Sequence, residues 1–341
     1  MSLFESKRRG EMAPASKWLV YTLLFLWTLV VLFPLYWVLI TSFKLPGQVG
    51  DGPDYLPFID YRPSLHAWKY IFVDLGSDTF RPYLNSVIIA SISTVLAMTV
   101  GSMAAYALAR LHFRPRLLSI GLFLGAFALV IWLVAQAGVA WPIALSAGIA
   151  VFVIAVPVFA RVRSPRLGNG DILFWVISQR ILPPVVAALP IYIMFQQLGI
   201  LDTHLAIILT YTTVNMPIVV WLMFDFFVSI PNDIEESAEL DGASKLRIFI
   251  EMVLPLARPG LIATGLLVLI LSWNEYLLAL FLSTAKAQTI PLLVAAQNAT
   301  RGPQWWYMSV LILIMILPVV SLTVLLQRFI SKGLLLGAVK G

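Results

Sequence analysis

"PNDIEESAELDGASKLRIFIEMVLPLARPG", residues Pro231 to Gly260, is the stretch on which the reading of this chain turns. It holds Asp233, Glu235, Glu236, Glu239, Asp241 and Glu251, six of the seventeen acidic residues in a chain that is 60% hydrophobic and 12% charged. A soluble domain carries about twice that charged fraction. A charged, helix-prone loop in so apolar a chain has to face water, and its local chemistry says how it folds. Pro231 stops the preceding apolar helix. Asn232 or Asp233 can cap a new helix, with Glu235 or Glu236 at the third position of a capping box. That helix runs to Leu240, and Asp241-Gly242 ends it, glycine suiting the left-handed C′ position. Ser244 caps a second helix, in which Leu246, Phe249, Ile250 and Val253 form one apolar stripe. Pro255 and Pro259 break the chain before the next apolar run. A loop that merely dissolves its charges needs no such order of caps, hinge and stripe.

Outward from this loop the sequence is a series of apolar runs, and its mean hydropathy is +0.91. About 20 apolar residues span the hydrocarbon of a bilayer. Eight segments qualify: 18–42, 83–109, 117–137, 141–160, 172–198, 204–229, 260–283 and 307–330. The fold class is therefore an all-α integral membrane protein, a polytopic bundle of about eight transmembrane helices. Only "GVAW" separates the third and fourth, so they form a tight hairpin. The first run is longer than the apolar core of a signal peptide and reads as an uncleaved helix. Residues 1–17 and 332–341 are tails, and 43–82 is an ordered, turn-rich external loop too short for its own core. The tryptophans of "RGPQWW" suit a membrane interface.

Basic residues set orientation. With the N-terminus inside, seventeen of the 23 lysines and arginines fall on or near the inner face, including Lys7, Arg8, Arg9, Arg110, Arg114, Arg116, Arg161, Arg163, Arg166, Lys245, Arg247 and Lys340. Six fall outside: Lys44, Arg62, Lys69, Arg81, Lys286 and Arg301. This positive-inside bias makes the opening loop cytoplasmic, and the net charge of +6 is a topology signal and not a nucleic-acid footprint. The chain has no cysteine, which excludes disulfides, thiolate catalysis and Cys-ligated metals. Its three histidines, His66, His112 and His204, are scattered, so no intramembrane enzyme site is formed. A secondary transporter would show buried acids and repeat symmetry; Glu275 is the one deep carboxylate and no repeat is visible. The phosphate-cradling GxxxxGK[ST] loop is missing, so ATP hydrolysis belongs to another polypeptide.

The loop also resembles a known family. Glu236-Ser237-Ala238, three residues, Gly242, nine residues, then Met252-Val253-Leu254-Pro255 keeps the spacing of the Glu-Ala-Ala…Gly…Ile-x-Leu-Pro signature of binding-protein-dependent ABC importer permeases, specifically the maltose-type carbohydrate permeases. Ser237 and Met252 depart from it by small steric changes. "LDTHLAIILTYT", "NMPIVVWLM" (Asn215 to Met223), "SWNEYLLAL" (Ser272 to Leu280) and "GLLLGAVKG" resemble the same family, loosely over 18–110 and closely over 172–341. The resemblance implies a six-helix core, with 18–110 supplying its first two helices and 172–331 the rest, and an inserted hairpin at 111–166. It implies that the cytoplasmic loop, 230–259, docks on an ATPase through Glu235, Glu236, Ser237, Ala238, Glu239, Asp241, Gly242, Leu254 and Pro255. The three glutamates then offer carboxylates to a basic socket, and Ala238 and Gly242 allow close approach.

It further implies a bacterial inner-membrane location, a second homologous permease, two ATP-binding cassette ATPase subunits that use ATP and Mg, and an external solute-binding protein. No cofactor, metal or nucleic acid is expected on this chain. The solute class is a sugar, polyol or glycoside, to which "SQRILPPVVAALPIYIMF" leans; glycerol phosphate is the alternative. Polar side chains inside spans carry a functional expectation, and Gln179, Arg180, Asn215, Asn274 and Glu275 are the candidate substrate path. The plainer reading is that they hold helices together. The three prolines after Arg180 should break or bend their helix.

Overall fold

The computed structural model describes residues 14–338 apart from Pro53, His112, Phe113, Thr300 and Arg301. The outer parts of both tails, and Lys7, Arg8, Arg9, Arg301, Lys340 and His112, lie outside the described residues, as do the side chains of Arg328 and Lys332. In chain order the main helices are α1 (Pro14–Thr41), α2 (Gly76–Arg110), α3 (Leu117–Ala135), α4 (Trp141–Val158), α5 (Asn169–Ser178), α6 (Pro184–Gln197) and α7 (His204–Val228). There follow α8 (Asn232–Leu240), α9 (Lys245–Leu256), α10 (Arg258–Trp273), α11 (Leu277–Leu282) and α12 (Trp305–Ala338). Among the described residues six helices are long and apolar enough to cross a membrane, and up to eight spans result if two bent pairs, α5 with α6 and α9 with α10, each count as one.

Two of the expected spans are broken, the first of them where its prolines lead one to expect it. The run 172–198 stops at Ser178, passes through a tight turn at Gln179–Ile181 and restarts at Pro184, with an 89° bend. Pro183 and Pro184 explain it: neither can donate the helical N–H, while proline suits the first position of the new helix. The run 260–283 ends at Trp273, leaving α10 with 16 residues, about 24 Å at 1.5 Å per residue and short of the roughly 30 Å hydrocarbon. Asn274–Tyr276 are non-helical before α11 begins.

The chain divides into two compact units. The first comprises the described residues of Met1–Ser91, Ala188–Ile208 and Trp273–Leu326. In it the 43–82 loop is ordered by side chains: Tyr61 Oη donates to Ile40 O at 3.0 Å, Trp68 Nε1 to Ser42 Oγ at 3.2 Å, and Tyr70 stacks on Tyr307 with centroids 4.2 Å apart. Ala67, Ile71, Tyr307, Val310 and Leu311 close a small core beneath it. Another clamp holds 284–290. The Asp202 carboxylate accepts the backbone N–H groups of Thr284, Ala285, Lys286 and Ala287 at 2.9–3.2 Å. Asn85 Nδ2 donates to Lys286 O and Gln288 O, and Ser86 Oγ accepts from Ile290 N. Partial burial opposes ionisation of Asp202, but the four backbone donors outweigh it and bring the pKa from its ordinary 3.8 to about 2. The stabilisation from this clamp is complete above 3.8 and is lost as pH falls through about 2.

The second unit comprises Ile92–Ala187, Leu209–Ser272 and the described residues of Gln327–Gly341. Its core joins α2, α7, α8, α9 and α10 through Ala105, Tyr106, Val219, Met223, Phe227, Ala238, Ile248, Phe249, Val253 and Val268. Close approach of α2 to α7 depends on Gly101, where a Cβ would fall 2.7 Å from Val219 Cγ1. The hairpin α3–α4 packs on small residues in the same way: Ala126 and Ala144 are buried, and a Cβ on Gly148 would fall 2.3 Å from Val130 Cγ2.

Candidate functional site

The site is the segment from Pro231 to Ala257. Helix α8 begins at Asn232, with Pro231 in extended conformation as its N-cap and no side-chain cap. The expected capping box is therefore not formed. Its absence has a cause: Pro231 occupies the N-cap, so the third helical position falls on Ile234, and the Glu235 carboxylate is engaged elsewhere. Glu235 is only 4% exposed, and its Oε1 accepts from Arg110 Nε at 2.6 Å while Oε2 accepts from Tyr106 Oη at 2.7 Å. Arg110 also donates to Ile230 O at 2.9 Å. A buried carboxylate is tolerated only when paired and hydrogen-bonded, and here the end of α2 supplies both partners. Tyr106, Phe227 and Phe249 form an aromatic cluster beside the pair, with centroids 4.7–5.9 Å apart.

This geometry gives two of the expected docking residues a part within the chain. The Glu235 carboxylate fastens α8 to α2. Ala238, at i+3 from Glu235, is 7% exposed and lies in the chain's own core, so its small size serves packing within the protein. Gly242 is small for a third reason. It adopts φ +81°, the left-handed C′ conformation, and the cap is a Schellman motif: Ala243 N–H donates to Ala238 O at 3.0 Å and Gly242 N–H to Glu239 O at 3.0 Å. A Cβ there meets nothing within 4 Å, so backbone conformation, not space within this chain, requires glycine.

Ser244 caps α9 as expected, its Oγ accepting from Arg247 N at 3.3 Å. The apolar stripe of α9 divides. Phe249 and Val253 point into the core together with Ile248, but Leu246 and Ile250 are exposed. The helix widens into a π-turn at Phe249–Val253, which departs from the 3.6-residue period on which the single stripe was drawn. Leu254 and Pro255, both half-buried, lie just before the 81° bend into α10. The free face of the segment carries Glu236, Ser237, Glu239, Leu240 and Asp241. Leu240, unnoticed in the sequence, is 90% exposed. Lys245 pairs with Glu239, and Arg247 with Glu251 at 2.8 Å, both in solvent. Charged groups and isolated apolar side chains thus alternate on a surface whose reverse side is fixed.

The candidate path residues fall in two places. In the second unit Arg180 Nη1 donates to Val214 O at 3.2 Å and Nη2 approaches Asn215 Oδ1 at 3.4 Å. Asn215 is 5% exposed and donates to Ser272 Oγ at 3.0 Å, and Ser272 meets Ser93 Oγ at 3.4 Å. Arg180 and Asn215 are thus brought together, in a network that links α2, α7 and α10; Gln179, beside Arg180, has an exposed side chain. Ser93 and Ser272 were missed, and only their polarity within apolar runs signals them. In the first unit Asn274 and Glu275 sit in the break between α10 and α11. Glu275 Oε1 accepts from Leu278 N at 3.0 Å, capping α11, while Asn274 is exposed. Broken helices at membrane depth are found where backbone lines a cavity or is buried in protein.

The chain belongs to the family of binding-protein-dependent transport system inner membrane components, whose match covers residues 145–335. It is 31% identical to the trehalose transport system permease protein SugB of Mycobacterium tuberculosis, over 92% of this chain and 95% of that one. It is 28% identical to the trehalose/maltose transport system permease protein MalG of Thermococcus litoralis, over 93% and 94%. Among solved structures it is similar, with a TM-score of 0.59 and 20% identity, to a chain of a bacterial ABC transporter involved in import of the acidic polysaccharide alginate, covering 96% of this chain and 99% of that one.

Proposed function

We propose that this chain forms half of the translocation path of an ATP-driven importer for a carbohydrate, and that Pro231–Ala257 transmits the work of a separate ATPase to its helices. The observation that carries the reading is the two-sided construction of α8. One side is anchored by Arg110, Glu235 and Tyr106, and the other presents Glu236, Ser237, Glu239, Leu240 and Asp241 to solvent. A lever needs both a fixed and a free side. In this reading the partner's socket takes the free side, and Gly242, Leu254 and Pro255 keep the segment at its angle. The other subunits are a second, related permease, a pair of ATPase subunits carrying ATP and Mg, and an external solute-binding protein. The N-terminus lies in the cytoplasm of a bacterial cell, and this chain binds no cofactor of its own.

The carbohydrate class rests on the relatives, whose names speak of trehalose and maltose. The helix breaks at Gln179–Pro183 in the second unit and at Asn274–Tyr276 in the first are each of the kind that lines a solute path. In this reading Gln179 in its unit, and Asn274 and Glu275 in theirs, meet the solute, while Arg180 and Asn215 hold helices of the second unit together. The test is Leu240→Glu combined with Glu236→Lys in the assembled importer. We expect normal membrane insertion, loss of uptake and loss of substrate-stimulated ATP hydrolysis; unchanged uptake refutes the lever. A panel of sugars and polyols against the partner binding protein identifies the solute, and binding of none of them refutes the carbohydrate class.

A further inference from the structure

The hairpin α3–α4 has no part in the coupling segment or in the helix breaks, and its chemistry points to another ligand. Residues 117–160 contain no ionisable side chain. Both helices are apolar along their length and largely uncovered: Ala126 in α3 and Ala144 and Gly148 in α4 are their buried residues. At 19 residues α3 is about 28 Å long, close to the hydrocarbon thickness. One end of the hairpin carries Trp141 and neutral turn residues. The other carries Arg114, Arg116, Arg161, Arg163 and Arg166.

That basic end is built, not frayed. Leu117 N–H donates to Pro165 O, Leu167 N–H to Pro115 O, both at 2.9 Å, and Leu118 N–H to Ser164 Oγ at 3.0 Å. Arg116 is held by Ala160 O. Together they shape an open cleft of about 440 Å³ lined by Arg116, Arg161, Arg163, Ser164 and Arg166. Among the described residues, none of the five arginines forms an ion pair with a carboxylate. The nearest acid in sequence, Asp171, accepts from Gly168 N–H at 2.8 Å.

We propose that this cleft binds the headgroup of an anionic phospholipid, with its acyl chains lying along the exposed faces of α3 and α4. An apolar hairpin of bilayer length places the arginines at the level of the phosphates, and guanidinium groups hold phosphodiester oxygens in bidentate pairs. Arginines that served only to orient the chain would need charge alone, without an ordered cleft. The site requires no assumption about transported solute.

The experiment uses the full chain with its co-assembled subunits, transferred into phosphatidylcholine nanodiscs doped with phosphatidylglycerol, with retained lipid measured by mass spectrometry. We expect phosphatidylglycerol to be enriched on the wild type and to resist displacement by inorganic phosphate. Arg161→Gln/Arg163→Gln/Arg166→Gln should lower that enrichment on the order of a hundredfold, about a factor of five for each charge at the surface. Lys245→Gln/Arg247→Gln, which removes charge from the other polar segment, should leave it unchanged. The corresponding triple Arg→Lys variant guards against misfolding: it should insert normally and retain the lipid more weakly as salt is raised. Four results overturn the proposal: no enrichment on the wild type, as when a protein subunit covers the hairpin; equal retention by the Arg→Gln and Arg→Lys variants and the wild type; equal loss from the Lys245/Arg247 control; or displacement by inorganic phosphate, which would make this a site for free anions.

Discussion

The proposed coupling segment, 231–257, and the hairpin, 117–158, reverse what their compositions suggest. The first carries eight charged residues, yet Glu235 is 4% exposed and Ile248 and Val253 are fully buried. The second has no charge at all, yet its helices are scarcely covered by the rest of the protein. Hydropathy ranks affinity for lipid, which is not attachment to protein. In a bilayer an apolar helix gains little from a protein neighbour that lipid would not give it, so attachment comes from small-residue packing and a few buried polar pairs. The coupling segment has such a pair, joined to an aromatic cluster. The hairpin has Gly148, Ala126 and Ala144, which hold its two helices to each other.

The sharpest way to break this contrast is at Glu235. Glu235→Ala leaves the Arg110 guanidinium, 11% exposed, without its partner. Removing one member of a buried pair costs about 3–5 kcal/mol, so the variant should show the largest loss of thermal stability in detergent and no uptake. An apolar replacement of both members, Arg110→Met with Glu235→Leu, should recover most of the stability, because well-packed apolar groups can substitute for a buried pair. If uptake returns with stability, the pair serves as a fastener only. If Glu235→Ala melts like the wild type, the segment is not anchored there.

How much of this was legible in the sequence follows from the range of each interaction. The turn at Gly242, the Ser244 cap and the break at Pro183-Pro184 are local, set by residues within one helical turn, and the sequence predicts each of them. The role of Glu235 was not legible, because its partners Tyr106 and Arg110 lie more than a hundred residues away. Its spacing from Ala238 was the available hint, since Glu235 and Ala238 share the face that faces inward. The break at Asn274–Tyr276 has no proline to announce it; only a cluster of polar residues in an apolar run does. The division of the α9 stripe follows from a π-turn that a fixed helical period does not anticipate.

The next two tests probe small residues in the two regions. Gly148→Leu should destabilise the hairpin by about 1–3 kcal/mol through overpacking against Val130, while uptake stays near normal if the hairpin is accessory. Loss of uptake comparable to Glu235→Ala would remove the distinction between the regions. Gly242→Ala should cost about 1–2 kcal/mol, the left-handed penalty at φ +81°, and Gly242→Asn less, because asparagine tolerates that conformation. Nothing in this chain obstructs a larger side chain there. If Gly242→Trp insertion and melting match Gly242→Ala while its uptake is far lower, the additional loss is steric conflict with the docked partner; equal uptake by the two would confine glycine to a conformational role.

The smallest expected effect is the most discriminating about what makes the segment rigid. Arg247 and Glu251 form an i, i+4 pair on the exposed side of α9, at 2.8 Å and with both side chains more than half exposed. By distance alone it is comparable to Arg110–Glu235 at 2.6 Å. Solvent screening separates them: exposed helical pairs contribute little and weaken with salt, whereas the buried pair is shielded. Arg247→Ala should therefore shift melting barely at low salt and not at all at high salt, and the Glu235→Ala loss should persist at both. A large, salt-resistant loss from Arg247→Ala would mean that the exposed face is itself part of the anchor. The solvent side of α9 would then not be free for a partner.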